Sequence, residues 1–479
     1  LRAFGYLHGL GLLYCDFKPD NAIQDQEQLK LLDLGGVRRI DDQVSAIYGT
    51  VGYQAPEIAQ DGPSVSSDLY TVGRTLAVLS FPFKGFMTTF ANRLPDRADV
   101  PLLARYESYD RLLRRTCHAD PAERFQDAAE LAEQLTGVLR EVLAEGDGRS
   151  RPAASTLFGP ERNTAGADLP DAGLGGPPLG SLDPRAAAAA LPVPLVYGSD
   201  PAAGFLAGLT IREPDALAAA LESAPVSSPE VAFMLVRVRI ELGRFDSART
   251  LLDELETTQA GDWRVDWYRA LAALAAGDAI TAQRLFDGLY SWMPGEAAPK
   301  LGLAFAAEPA GARDLAAQLY ETVWRTDTGH VSAAFGLARV RLAAGDRTGA
   351  VAVLDSVPEI SSRHVAAQVA AVAAAVRGRG PGNLTGAELA AAGHRLTGLR
   401  LDPGRHGRLE AEVLETALSW AQAVPSQPAG TLFGAPLSET GLRRRLEQTY
   451  RELARLARPG DDRHTLVVAA NAVRPRTVL

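Results

Sequence analysis

Cysteine is nearly absent from this chain of 479 residues. Cys15 and Cys117 are the only two, which excludes a disulfide framework and a cysteine-based zinc site. Methionine occurs three times and aromatic residues make up 7% of the chain, so its cores must be built mainly from Leu, Val and Ala. Positive charge is not in excess: 49 Lys and Arg stand against 58 Asp and Glu, a net −9, which leaves no basic face for a nucleic acid. No run approaches the roughly 18 apolar residues of a membrane span, and no charged stretch followed by an apolar one opens the chain as a secretory signal would. The seven histidines (His8, His118, His330, His364, His394, His406 and His464) lack metal-ligand spacing and read as surface or packing residues. What these absences leave is a cytoplasmic globular protein of two to four domains.

What is present divides into regions. Residues 1–142 alternate strand, loop and helix signals. Ala22-Ile23 and Leu29 to Leu32 flank a polar turn, Gln24 to Gln28, and predict a short hairpin. Ser67 to Leu79 is apolar and of helix length, Tyr106 to Cys117 carries Tyr109, Leu112 and Leu113 on one face with arginines opposite, and Phe125 to Val142 reads as a further helix. Residues 143–205 contain a breaker cluster from Glu145 to Pro152 and a Gly/Pro-rich stretch from Gly173 to Pro184, and read as a linker. The alternative is a segment that packs back through Leu157-Phe158 or Leu195-Val196-Tyr197.

From residue 206 the pattern is helical and a period appears. Gly243, Gly277, Gly311 and Gly345 recur every 34 residues. Each is followed five residues later by Ala248, Ala282, Ala316 or Ala350, and nine later by Leu252, Phe286, Tyr320 or Leu354. A 34-residue period predicts tetratricopeptide repeats, two antiparallel helices per unit. The glycine turns the chain between helices, the alanine sits where helices cross closely, and the large residue fills the gap between repeats. The register fades after residue 360. Residues 361–479 read as a helical extension capping the solenoid, with Arg443 to Leu456 as its closing helix and Arg443-Arg444-Arg445 as a solvated face.

The chemistry is concentrated near the start. Tyr14-Cys-Asp-Phe-Lys-Pro-Asp-Asn21 is followed by Asp33-Leu34-Gly35, Gly49-Thr50, Ala55-Pro56-Glu57, Ser67-Asp68 and Asp120-Pro-Ala-Glu-Arg124. In order and spacing these resemble the catalytic loop, magnesium loop and activation segment of a protein kinase C-lobe. Phosphoryl transfer needs a nucleophile placed in line and phosphate charge neutralised. The resemblance implies the following roles. Asp16 is the catalytic base, and Lys18 projects toward the transferred phosphate, as in serine/threonine kinases. Asn21 and Asp33 are the magnesium ligands, Asp33 on the metal that bridges the ATP phosphates, and with Lys18 they bind the cofactor; theirs are hard oxygens of the kind magnesium prefers. Thr50 lies in the substrate loop, while Glu57 paired with Arg124, and Asp68 behind the catalytic loop, lend structural support.

The combination is more specific. Cys15-Asp-x-Lys-Pro19, Gln54-Ala-Pro-Glu-Ile58, Tyr70-Thr-Val-Gly-Arg-Thr-Leu76, Arg111-Leu-Leu-Arg-Arg115, Gln134 to Glu141 and Ala333 to Arg339, with a C-terminal repeat domain, resemble the bacterial protein kinase G family over essentially the whole chain. That implies a mainly α fold, a kinase C-lobe with short β-hairpins at 1–142, a linker at 143–205, a tetratricopeptide α-solenoid at 206–360 and its helical cap. It also implies ATP and Mg2+ as cofactors, and forkhead-associated protein substrates that govern 2-oxoglutarate and glutamate metabolism. The repeat domain would bind a peptide or a second copy.

Departures sharpen the expectation. Tyr14-Cys15 replaces the usual His-Arg, so no arginine receives a phosphorylated activation loop, and regulation should come from elsewhere. Leu34 replaces a phenylalanine, and Cys15 reads as a small buried filler. The cysteine pairs of the family's rubredoxin-like module are missing. No Gly-x-Gly-x-x-Gly precedes Asp16, and the first residues (Leu1, Phe4, Leu7, His8) already read as the end of a helix. The expectation is a chain truncated before its N-lobe that binds ATP poorly. An inactive remnant serving as a protein-binding scaffold is the competing reading. The retained Asp16, Lys18, Asn21 and Asp33 favour the enzyme.

Overall fold

The structure is a computed structural model that describes residues 1–26, 28–42, 44–167, 177–424, 430–458 and 460–475. It divides into two compact units. One comprises Leu1–Arg151 with Arg284–Lys300, the other Pro152–Gln283 with Leu301–Leu479.

The first unit is mainly helical, with two short antiparallel strand pairings among its described residues: Leu12–Leu13 pairs with Arg38–Arg39, and Ala22–Asp25 pairs with Gln28–Leu31 so that Ile23 faces Lys30. This is the expected hairpin. Its central helix, Val65–Ser80, starts at a reciprocal cap in which Ser64 and Ser67 each accept the other's backbone N–H. Phe4, Phe17, Leu69, Leu112, Leu113, Phe125 and Leu131 form one buried cluster that joins the helices Arg2–Gly9, Val65–Ser80, Glu107–Thr116 and Ala128–Asp147. The last of these begins on Asp127, whose carboxylate accepts the N–H groups of Ala129 and Glu130, and runs five residues into the stretch read from sequence as linker.

Arg284–Lys300 belongs to this unit although the repeat period assigns it to the solenoid. Arg115 is held between the rings of Phe125 and Trp292, at 4.0 and 3.7 Å, and Arg111 bonds Asp287 at 2.6 Å. The period could not reveal this, because it records spacing between repeats and not what the remaining positions touch.

In the second unit the glycines stand where the period requires. Gly243, Gly277, Gly311 and Gly345 have φ of 74°, 82°, 82° and 84°, a left-handed conformation that costs a side chain, and each lies between two antiparallel-patterned helices. Ala248, Ala282, Ala316 and Ala350 are fully buried, as are Phe286, Tyr320 and Leu354. Close approach continues inside the helix Val331–Ala343: a Cβ on Gly336 would lie 2.4 Å from the Tyr320 ring. Gly336→Ala should therefore destabilise this unit by about 1–3 kcal/mol, read as a lower urea midpoint with unchanged slope.

The described part of 143–205 is not a loose tether. Phe158 pairs with Pro194 across an antiparallel bridge and packs on Trp263 and Trp267, with centroids at 5.1 and 4.7 Å. Pro184–Ala190 is a helix capped by Asp183. Apolar burial of Phe158 and the alanines of that helix outweighs the Gly/Pro signal. Residues 168–176, within the Gly/Pro-rich stretch, lie outside the described residues.

Glu161 on this strap accepts the Ser332 N–H at 3.4 Å, and burial raises its pKa to about 7; burial and then the charge of Glu412 do the same for Glu415. A carboxyl whose folded pKa lies above its unfolded value holds its proton more tightly when folded. Stability is therefore fullest below the unfolded pKa, and falls as pH rises toward 7. The loss is on the order of 3 kcal/mol for Glu161, and less for the more exposed Glu415, where solvent screens the effect. Unfolding followed at pH 5 and pH 8 should show the decline, and Glu161→Gln should remove the larger part of it.

Beyond residue 360, His364–Val376, Gly386–Thr397, Pro403–Ala423 and Glu439–Leu456 share a core built on Val372, Leu389, Leu414, Trp420 and Leu446. Glu439–Leu456 does not close the extension, since Asp461–Val473 follows. Nor is its arginine run a uniformly solvated face: Arg445 bonds the buried Glu410 at 2.6 Å. Among the described residues no helix is long and apolar enough to cross a membrane.

Candidate active site

Residues 14–21 form a loop held from behind. The carboxylate of Asp68, in the first turn of Val65–Ser80 and 1% exposed, accepts the N–H groups of Tyr14 and Cys15, both at 2.7 Å. It also meets His8 Nε2 at 3.0 Å. Cys15 has φ 68°, a strained conformation for a residue with a side chain, and these bonds fix it there. The Tyr14 hydroxyl donates to the carbonyl of Leu32, tying the loop to the chain just before Asp33, and burial raises the Tyr14 pKa to about 12.

At the loop's open side four predicted residues converge. Thr50 Oγ1 donates to Asp16 Oδ1 at 2.8 Å. Lys18 Nζ donates to Asp16 Oδ2 and to Thr50 Oγ1, both at 2.8 Å. Asn21 Nδ2 donates to the Asp16 carbonyl at 2.8 Å and reaches Asp16 Oδ2 at 3.3 Å. Asp16 and Lys18 remain partly exposed, with side chains at 19% and 20%. A carboxylate carries about four lone-pair sites, so Asp16 keeps the capacity to take one more hydrogen.

Asp33 stands apart. Its φ is 51°, it is exposed, and its Oδ1 accepts the Gly35 N–H at 3.0 Å. No hydrogen bond joins it to Asn21 or Asp16 among those the structure gives. With Asn21 Nδ2 spent on Asp16, Asn21 Oδ1 is the atom left as an acceptor, and Asp33 Oδ2 takes no hydrogen bond from the described residues. Two hard oxygens fit magnesium when phosphate oxygens complete its shell. Among the described residues no cluster of three His, Cys, Asp or Glu side chains could hold a metal alone.

The supporting pair is bidentate: Arg124, fully buried, donates to both Glu57 oxygens at 2.6 and 2.8 Å. Cys15 and Cys117 are both buried and unbonded, and burial pushes each thiol up to about 12, far from a reactive thiolate.

Two residues escaped sequence reasoning. His8 read as ordinary packing, yet it contacts Asp68. Arg74, fully buried in the central helix, donates to four backbone carbonyls: Gly52 at 2.6 Å, Phe90 at 2.7 Å, Arg93 at 2.8 Å and Phe86 at 2.9 Å. An arginine within the apolar run Leu69–Leu79 was the available signal.

Comparison with known proteins follows the same division. A family model described as protein kinase G tetratricopeptide repeat matches residues 152–477, and the protein kinase domain model matches residues 1–136. Serine/threonine-protein kinase PknG of Mycobacterium leprae is 41% identical over 100% of the chain and 64% of that protein. The protein of the same name from Mycolicibacterium smegmatis is 40% identical over 99% of the chain and 64% of its own length. Human cGMP-dependent protein kinase 2 is 37% identical over 26% of the chain and 18% of that protein. The chain thus spans just under two thirds of the length of the two bacterial relatives.

Proposed function

We propose, for a chain that belongs to the protein kinase G family, that residues 1–151 carry the phosphotransfer centre of a serine/threonine protein kinase. The observation that carries this reading is the convergence of Lys18, Thr50 and Asn21 on one partly exposed carboxylate, Asp16.

In this reading Asp16 orients the substrate hydroxyl and takes its proton as the oxygen bonds to the γ-phosphorus, while the bond from that phosphorus to the β,γ-bridging oxygen breaks and ADP leaves with the electron pair. The Lys18 ammonium, already fixed between Asp16 and Thr50, lies where it offsets charge on the phosphoryl oxygens. Thr50 ties the substrate segment to the base, so a bound peptide and the base move together. Asn21 and Asp33 would hold magnesium with ATP, and the bound metal would draw charge from the phosphates. We place the enzyme in the cytoplasm on its cysteine usage, and assign it forkhead-associated protein substrates on the family resemblance.

The test is transfer of labelled phosphate from magnesium-ATP to a forkhead-associated protein, measured for the protein and for Asp16→Asn. Incorporation that disappears in Asp16→Asn supports the reading. No incorporation by the unaltered protein would favour the scaffold alternative, and equal incorporation by both would remove Asp16 from its role.

A further inference from the structure

Within the second unit the helices Pro184–Ala190, Pro229–Glu241 and Trp263–Ala275 enclose, with residues 162–163 of the strap, a cavity of about 320 Å³. Its size is at the low end of small-molecule sites. Its charge is unbalanced. Arg162, Arg185 and Arg237 line it, and Glu241 is the sole carboxylate among the lining residues.

That carboxylate is shared. Arg162 Nη1 bonds Glu241 Oε1, and Arg237 Nε stands 3.7 Å from the same oxygen, beyond a hydrogen bond. Arg237 Nε is buried and has no hydrogen-bond partner. Arg185 has no ion pair with a described residue, and its guanidinium lies 5.7 Å from the Phe245 ring centroid. A buried guanidinium donor left unmet beside a cavity calls for a ligand, because leaving it empty forfeits a charge-assisted hydrogen bond. Burial, and then the neighbouring charge of Arg162, lowers the pKa of Arg237. An anion in the cavity would reverse that. Apart from Asn163 the remaining wall is apolar, with Ala189, Leu191, Leu271 and Ala275 among its residues.

We propose that this cavity binds a small organic anion, its carboxylate or phosphate head on Arg162, Arg185 and Arg237 and a body of a few carbons against Leu191 and Leu271. The site is independent of phosphotransfer, since all its residues lie in the repeat unit.

Calorimetric titration of the full protein with n-butyl phosphate, n-butyrate and inorganic phosphate tests it, with n-butylamine as the cationic control. One or both organic anions should bind, more weakly as sodium chloride is raised, and the amine should not. Which of the two binds identifies the head group. Arg185 is exposed, so Arg185→Met should leave the melting temperature unchanged while weakening binding about tenfold or more. Arg237→Lys, which keeps the charge but loses the planar fork, should weaken it too. Failure of both organic anions to bind at millimolar concentration overturns the proposal. So does binding that Arg185→Met and Arg237→Lys leave unchanged. Inorganic phosphate binding as tightly as butyl phosphate would overturn the role given to the apolar wall.

Discussion

Arg74→Met should destabilise the first unit by on the order of 3–5 kcal/mol, and the loss should appear first in two segments distant from residue 74 in sequence. The guanidinium is fully buried, and its bonds run to backbone carbonyls of Gly52, Phe86, Phe90 and Arg93 while it lies 4.8 Å from the Phe83 ring centroid. Methionine of similar length fills the space but removes the Arg74 donors from the carbonyls of Gly52, Phe86 and Arg93, while the Phe90 carbonyl keeps the Arg93 N–H at 3.5 Å. Each unmet buried acceptor costs about 1–3 kcal/mol, less than additively because some reach water once the chain loosens. Arg74→Lys should recover little, since one ammonium cannot reach the positions that a planar fork of five N–H groups serves. Hydrogen exchange should accelerate in residues 50–56 and 82–95 and stay unchanged around Gly243 to Leu252. If exchange in the first two segments is unaltered, Arg74 is not what holds them. The connection to chemistry is short. Gly52 is two residues from Thr50, whose hydroxyl bonds Asp16, so slack at Gly52 is passed to the base.

Much of this was legible in the sequence, for physical reasons that differ by region. The repeat could be read because a turn with positive φ demands glycine and a close helix crossing demands alanine, and both demands recur at Gly243, Gly277, Gly311 and Gly345. Glu57 and Arg124 could be paired only through the resemblance to the kinase motifs, and in the structure one guanidinium donates to both carboxylate oxygens. Composition misjudged the strap at 152–163 and the helix Pro184–Ala190. Short apolar anchors such as Phe158 decide packing there, and one aromatic among glycines and prolines carries little weight in a window average. Partners could not be read at all where a side chain bonds only to backbone carbonyls. Arg74 has no complementary residue type to betray it, and Arg111 and Arg115 meet a segment more than 170 positions away.

Asp68→Ala should disable the candidate site from behind, by releasing the loop that carries Asp16, with a stability loss of about 3–5 kcal/mol. Asp68 is 1% exposed, and its two oxygens take two successive backbone N–H groups, those of Tyr14 and Cys15. Bonds of this kind, with a charged acceptor, contribute about 1.5–3 kcal/mol each. Alanine leaves both donors and His8 Nε2 facing an apolar side chain. It also releases Cys15 from φ 68°, a conformation that costs on the order of 1–3 kcal/mol and persists only while the surroundings impose it. Relaxation there would rotate the next residue, Asp16, away from Thr50 and Lys18. Asp68→Asn is the discriminating variant. It keeps the shape but offers one acceptor where two N–H groups point, so it should lose about half as much and leave one of the two amides protected. Amide exchange at Tyr14 and Cys15, read beside the melting temperature, separates the cases. Both amides should exchange fast in Asp68→Ala and only one in Asp68→Asn. Slow exchange at both in Asp68→Ala would mean that the loop is held by Tyr14 and the core around Phe17, with Asp68 an incidental neighbour.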